Sequence, residues 1–200
     1  PSTGISELDP VVENFSPIQT SDYYGAQQLA EEPRLLEAYK RLASAAERLD
    51  TRPVSLAGLG LTETQLKQVV NYYMADYPQH FWVGTSYSFG VQNDVVTTIE
   101  WSYTMSAQEA QQASRQVQAA AARILQGLEG LSEYEIEKHI HDALVSAVTY
   151  DTTQQKDYIH TLYGALVNGE AVCDGYARAF QYLLYQVGIP CLLVTGKSRG

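Results

Sequence analysis

Between Cys173 and Val187 the apolar positions Cys173, Tyr176, Ala177, Phe180, Leu183, Leu184 and Val187 recur at helical spacing, and Gly188 and Pro190 follow at once. A stripe this continuous requires a helix with one buried face, a glycine at its C′ position and a proline just past its end. The next run, CLLVTG at 191–196, reads as a buried strand. A buried helix feeding an apolar strand points to an α+β architecture.

The chain upstream supports that class. Pro33 stands where a first helical residue would, and Leu35, Leu36, Tyr39, Leu42, Ala43, Ala46 and Leu49 predict a helix over about 33–49. Thr62 with Gln65 forms a capping box ahead of Leu66, Val69, Val70 and Tyr73, which predicts a second helix over 62–75, closed off by Pro78. The segments 81–89 and 95–103 alternate with period two around Gly90, Asn93 and Asp94, a β-hairpin signal. Two further capping boxes, Ser106 with Glu109 and Ser132 with Glu135, open helices expected over 106–128 and from 132 onward with Ile136, Ile140, Leu144 and Val148 on one face. Residues 1–30, rich in Ser, Thr, Pro, Asp and Gln, read as an extended leader with little fixed structure, and 149–172 is a looser stretch with an Asn168-Gly169 turn signal.

Composition narrows the function classes. At 200 residues and 45% apolar content the chain can bury a proper core. With 13 Lys plus Arg against 23 Asp plus Glu, a formal charge of −10 and no basic run, nucleic acid and anionic membrane are poor partners. No stretch approaches the roughly 18 apolar residues of a membrane span, so no membrane insertion of this chain is expected. The first residues carry neither the basic nor the apolar region of an export signal, and the absence of an initiator Met is compatible with removal of one. Fifteen tyrosines against four phenylalanines give aromatic surface a hydroxyl, which suits half-wet clefts and interfaces. Two cysteines are too few for a disulfide framework and fit no zinc spacing, so neither a metal nor another cofactor is expected.

Cys173 is the candidate nucleophile. A cysteine in the first turn of a helix faces unsatisfied N–H groups and the positive end of the macrodipole, which favour the reactive thiolate. Position alone leaves the bland reading, a small buried hydrophobe, open. Among the histidines, His139 and His141 are two apart on a helix and cannot share a face for a metal. His160, thirteen residues before Cys173, is the nearest to it in sequence and reads most simply as a loop or capping residue. Cys191, at the start of the expected strand, reads as buried and inert.

The stretch YGALVNGEAVCDGYARAFQYLLYQVGIPCLLVTG (163–196) resembles the nucleophile segment of the transglutaminase-like superfamily. The residues that carry the likeness are Val172, Cys173, Asp174, Gly175, Tyr176 and Ala177, matching an apolar-Cys-x-Gly-Tyr-Ala run, with HDALVSAVTYD (141–151) similar to the family's lead-in. DYPQHFWVGTSYSF (76–89) is similar to the region preceding such domains in secreted or lipid-anchored Gram-positive proteins. The resemblance implies an extracellular or cell-surface setting. It also implies a papain-like fold in which a helical half presents the cysteine and a following sheet presents a histidine and then an aspartate. On that order both partners fall beyond Gly200, so the 200-residue chain by itself is expected to have no appreciable transamidase or amidase activity.

The resulting expectation is a leader over 1–30, an α+β domain with helices and a β-hairpin over 31–130, and the helical, nucleophile-bearing half of a papain-like transglutaminase core over 131–200. The implied activity of the intact parent is acyl transfer on amide bonds through a Cys173 thioester, ending in protein cross-linking or in hydrolysis, with a protein or peptide as substrate. Tyr163, Gly175, Tyr176 and His160 are the other candidates for the cleft or its motif. The alternative is a non-catalytic surface interaction module on the same scaffold. The apolar strand 190–200 is expected either to pair with a second copy, giving a homodimer, or to fold back on the strands near 81–103.

Overall fold

Each capping box foreseen in the sequence closes on itself in the structure, a computed structural model that describes residues 10–196. The Thr62 hydroxyl accepts from Gln65 N–H at 3.2 Å while the Gln65 amide oxygen accepts from Thr62 N–H at 3.0 Å. Ser106 with Glu109 and Ser132 with Glu135 repeat the exchange. Two orphan donors are satisfied at each helix start, and the chain is told where to begin a helix by contacts three residues long. Replacing the Ser132 hydroxyl, as in Ser132→Ala, should therefore cost about 1 kcal/mol, read as a small, clean shift in the denaturation midpoint with an unchanged slope.

The described residues form two units, one of 19–114 with 192–196 and one of 10–18 with 115–191. The first begins with a 3-10 turn, Thr20–Asp22, and α1, Tyr24–Gln28, followed by α2, Pro33–Glu47, the short β1, Val54–Ser55, and α3, Glu63–Asp76. The hairpin β2, Val83–Gln92, and β3, Val95–Tyr103, then completes a three-stranded antiparallel sheet in the order β1-β3-β2. Asn93 and Asp94 both sit at positive φ, 52° and 61°, which is the two-residue turn whose twist matches a hairpin.

Alternation along β3 places Ile99 and Trp101 in the core with Leu42, Leu66, Val69 and Tyr73, and Val96, beyond a register shift in the hairpin, is buried as well. The aromatic polar ends are put to use there. Trp82 Nε1 donates to Ala46 O at 2.8 Å and Trp101 Nε1 to Leu42 O at 3.3 Å. The Tyr103 hydroxyl donates to Asp50 O at 3.0 Å, so aromatic donors of the hairpin region bind carbonyls in and just after α2. Residues 20–29, expected to be extended, fold because Tyr23, Ala26 and Leu29 are buried. The leader reading of residues 1–9 lies outside the described residues, as do residues 197–200.

In the second unit α4, Ala107–Leu125, in which the division between the units falls, is followed by α5, Glu133–Ala147. Residues 10–12 line the α4–α5 connection through bonds from Gly130 N–H to Val12 O and from Val12 N–H to Leu131 O. After α5 come β4, Thr149–Tyr150, a 3-10 turn, Asp157–His160, a π-helical turn, Gly164–Asn168, β5, Glu170–Ala171, and α6, Cys173–Gln186. The core of this unit is Ile136, Ile140, Leu144, Ile159, Leu162, Ala179, Leu183 and Leu184. Gly188 takes the expected left-handed conformation at φ 85°.

The CLLVTG strand is corrected. Residues 191–196 form no strand and enter no β-ladder among the described residues; Leu192 and Val194 are 45% and 78% exposed. An apolar run specifies a strand only where a ladder partner accepts its N–H and C=O groups. No ladder joins the run to β2 or β3, which pair with each other and with β1, among the described residues. The fold-back onto 81–103 is thus not observed, and the homodimer expectation loses the strand on which it rested. No described helix is long and apolar enough to cross a membrane.

Candidate active site

Cys173 is the first residue of α6, and its side chain is exposed. Val172 before it is extended, at φ −98° and ψ −177°, so the chain enters the helix at an angle that turns the first residue outward. No side chain caps this end. The first-turn amide N–H groups, which every helix start leaves without an intrahelical partner, thus receive no cap from the Val172 side chain. The buried apolar positions Ala179, Tyr182, Leu183 and Leu184 begin six residues further along the helix. The reading of Cys173 as a small buried hydrophobe is thereby removed.

Three segments hold the helix start. Thr149–Tyr150 and Glu170–Ala171 pair as two short parallel strands, Thr149 opposite Glu170 and Tyr150 opposite Ala171. Thr149 N–H donates to Gly169 O at 2.8 Å and Asp151 N–H to Ala171 O at 3.0 Å. Across the other side, Val172 N–H donates to Ile159 O at 3.1 Å, fixing the 157–160 turn against the beginning of α6. Gly175 belongs to the same junction. A Cβ there would lie 2.4 Å from Ile159 O, 2.8 Å from Ala171 Cβ and 3.0 Å from Thr161 O, so the glycine is required by close backbone approach.

Tyr176 ties the helix to the end of α5, its hydroxyl donating to Val148 O. Its ring stacks on Tyr150, centroids 6.3 Å apart and planes 18° from parallel, with Tyr150 52% exposed. Tyr163 is bonded elsewhere, its hydroxyl donating to Gln116 Oε1 at 3.3 Å. His160 points its Nδ1 at Asp174, 4.0 Å from Oδ2, while Arg178 Nε lies 3.6 Å from Oδ1 of the same carboxylate. The imidazole is thus directed at the residue after Cys173. His139 contacts Ile124 O and His141 contacts Asp142, and among the described residues no group of His, Cys, Asp and Glu could hold a metal.

Charge around the thiol is paired. Glu170 forms an ion pair with Lys156 and accepts from the Tyr158 hydroxyl at 2.8 Å; these two partners hold its carboxyl below the usual range. Asp151, buried, accepts at Oδ1 from the Thr153 hydroxyl and N–H at 2.7 and 2.6 Å and from Gln154 N–H, bonds that hold its carboxyl low. Its other oxygen, Oδ2, is buried and has no hydrogen-bond partner among the described residues. Cys191 is half-buried, and burial, with the Glu137 charge, pushes its thiol up, the opposite of what a nucleophile needs.

Tyr150 and Asp151 are the residues that sequence reasoning passed over. The Asp-x-Thr spacing at 151–153 is a legible Asx-turn signal. Nothing local shows that Tyr150 pairs with a residue twenty-one positions later.

The transglutaminase-like superfamily model matches residues 118–200. No curated protein matches the chain. Residues 118–200, which run from within α4 through the junction and the exposed Cys173, are therefore similar to the transglutaminase-like superfamily, a likeness that supports a cysteine-based acyl-transfer or peptidase family and no particular substrate.

Proposed function

We propose that Cys173 is the nucleophile of an acyl-transfer reaction on amide bonds. The observation that carries this is an exposed thiol on the first residue of a well-anchored helix, inside the family-matched segment. The sulfur attacks the amide carbonyl carbon, and the tetrahedral oxyanion forms where the Cys173 backbone N–H can donate to it. Collapse breaks the C–N bond, the amine or ammonia leaves with a proton, and a thioester remains on Cys173. An amine acceptor then gives a new amide and water gives the acid; either returns the thiol. The substrate is a protein or peptide carboxamide. An extracellular or cell-surface setting, carried by sequence resemblance, belongs to the same proposal.

An activated ester such as 4-nitrophenyl acetate isolates the nucleophile, because its leaving group needs no proton. The expected result is one acetyl group on Cys173 by intact mass and peptide mapping, retained in Cys191→Ala. In Cys173→Ala the rate should fall on the order of 100-fold or more. Acetylation that survives Cys173→Ala, or that maps to Cys191, removes the assignment.

A second reading, a non-catalytic interaction module, is favoured by a separate feature: Phe89 and Val91 on β2 are 37% and 44% exposed. A folded protein whose Cys173 stays unacylated would favour it.

A further inference from the structure

We infer that Tyr150 and Tyr176 form a platform for the acyl donor, selecting substrates with an aromatic or large apolar group beside the reacting carbonyl. The inference rests on Cys173 being the nucleophile. Tyr176 follows Cys173 by three residues on α6, so the two share a helix face with Cβ atoms about 5–6 Å apart. Tyr150 is brought to the same place by its parallel pairing with Ala171, two residues before the cysteine. The rings stack with centroids 6.3 Å apart, and Tyr150 keeps half of its surface in solvent.

Such a pair recognises flat or apolar groups rather than charge. The Tyr176 hydroxyl is already committed to Val148 O, which leaves its ring and not its polar end for a ligand. The neighbouring charges are answered within the protein, Glu170 by Lys156 and Asp174 by Arg178. A ring that only held the fold together would be buried under a neighbour; Tyr150 instead stays half exposed, stacked on a residue one helical turn from an exposed thiol.

The test uses thiol alkylation in the full chain and needs no turnover. N-(2-phenylethyl)chloroacetamide and N-methylchloroacetamide react alike: the Cys173 sulfur forms a C–S bond as the C–Cl bond breaks, chloride leaves and the thiol proton passes to buffer. Labelling at Cys173 is followed by peptide mapping, with iodoacetamide as the size-neutral reference. The phenylethyl reagent should be faster by roughly threefold to tenfold, the scale of one aromatic contact. Tyr150→Ala should bring that ratio close to one, Tyr150→Phe should retain it, and the iodoacetamide rate should be the same in all three proteins. A ratio near one in the parent, or a ratio that Tyr150→Ala leaves unchanged, overturns the platform while leaving the nucleophile in place. A Cys173 inert to iodoacetamide overturns both.

Discussion

Gly175→Ala should lower the melting temperature of the unit that contains α6 by roughly 5–10 °C, corresponding to about 2–3 kcal/mol in a chain of this size. Helix propensity alone argues the other way, since alanine in a helix interior is favoured over glycine by up to about 1 kcal/mol. The contacts decide it. A Cβ at 175 meets Ile159 O at 2.4 Å, Ala171 Cβ at 2.8 Å and Thr161 O at 3.0 Å, and none of these is the free end of a flexible side chain. Relief requires the 157–161 turn to move off the helix. That turn holds Val172 N–H through Ile159 O, so the movement also turns the first residue of α6. Scanning calorimetry reads the stability, and the alkylation rate of Cys173 reads the displaced thiol. An unchanged or raised melting temperature would show that the junction is more yielding than its distances imply.

The same junction marks the limit of what the chain discloses about itself. The capping boxes at Thr62, Ser106 and Ser132 are legible because their partners lie three residues away, and the Asn93-Asp94 turn because its conformation is local. The helix of Cys173 is legible because its stripe needs only one period. The stretch 149–172 is not, because its order comes from a two-residue parallel pair across twenty-one positions and from a 3-10 turn docked on a glycine. The thiol was therefore predictable from sequence, whereas its aromatic neighbour Tyr150 was not. The CLLVTG run shows the converse: its hydrophobicity predicts a strand, but no ladder partner meets it among the described residues. The first unit holds another such case, since Tyr23, Ala26 and Leu29 are spaced too sparsely in a polar segment to signal burial, yet all three are in its core.

Gly25 in that segment explains why it docks, and Asp76 is its anchor. The Asp76 side chain is 1% exposed, and its Oδ2 accepts from the Tyr39 hydroxyl at 2.7 Å and from Gly25 N–H at 2.9 Å. A Cβ on Gly25 would lie 2.5 Å from that oxygen and 2.5 Å from Tyr72 Cβ, so the backbone must approach bare. Asp76→Ala leaves two buried donors without an acceptor and should destabilise this unit by roughly 2–5 kcal/mol. The more telling variant is Asp76→Asn, which keeps the shape and removes the charge. Burial raises the affinity of this carboxyl for its proton above the ordinary value of 3.8, although the Tyr39 and Gly25 bonds oppose it. The stabilisation from a folded-state carboxyl of raised pKa is complete below the ordinary value and is lost as pH rises toward the folded one. Asn cannot undergo this loss. Measured against the parent protein by urea denaturation, Asp76→Asn should therefore gain relative stability as pH rises from about 3 to 7. The comparison cancels Glu47, Asp151 and Glu135, whose lowered values push the absolute stability of both proteins the other way. A difference that stays constant over that range, or that falls with rising pH, would mean that Asp76 is ionised in the fold without cost and that its donors outweigh its burial.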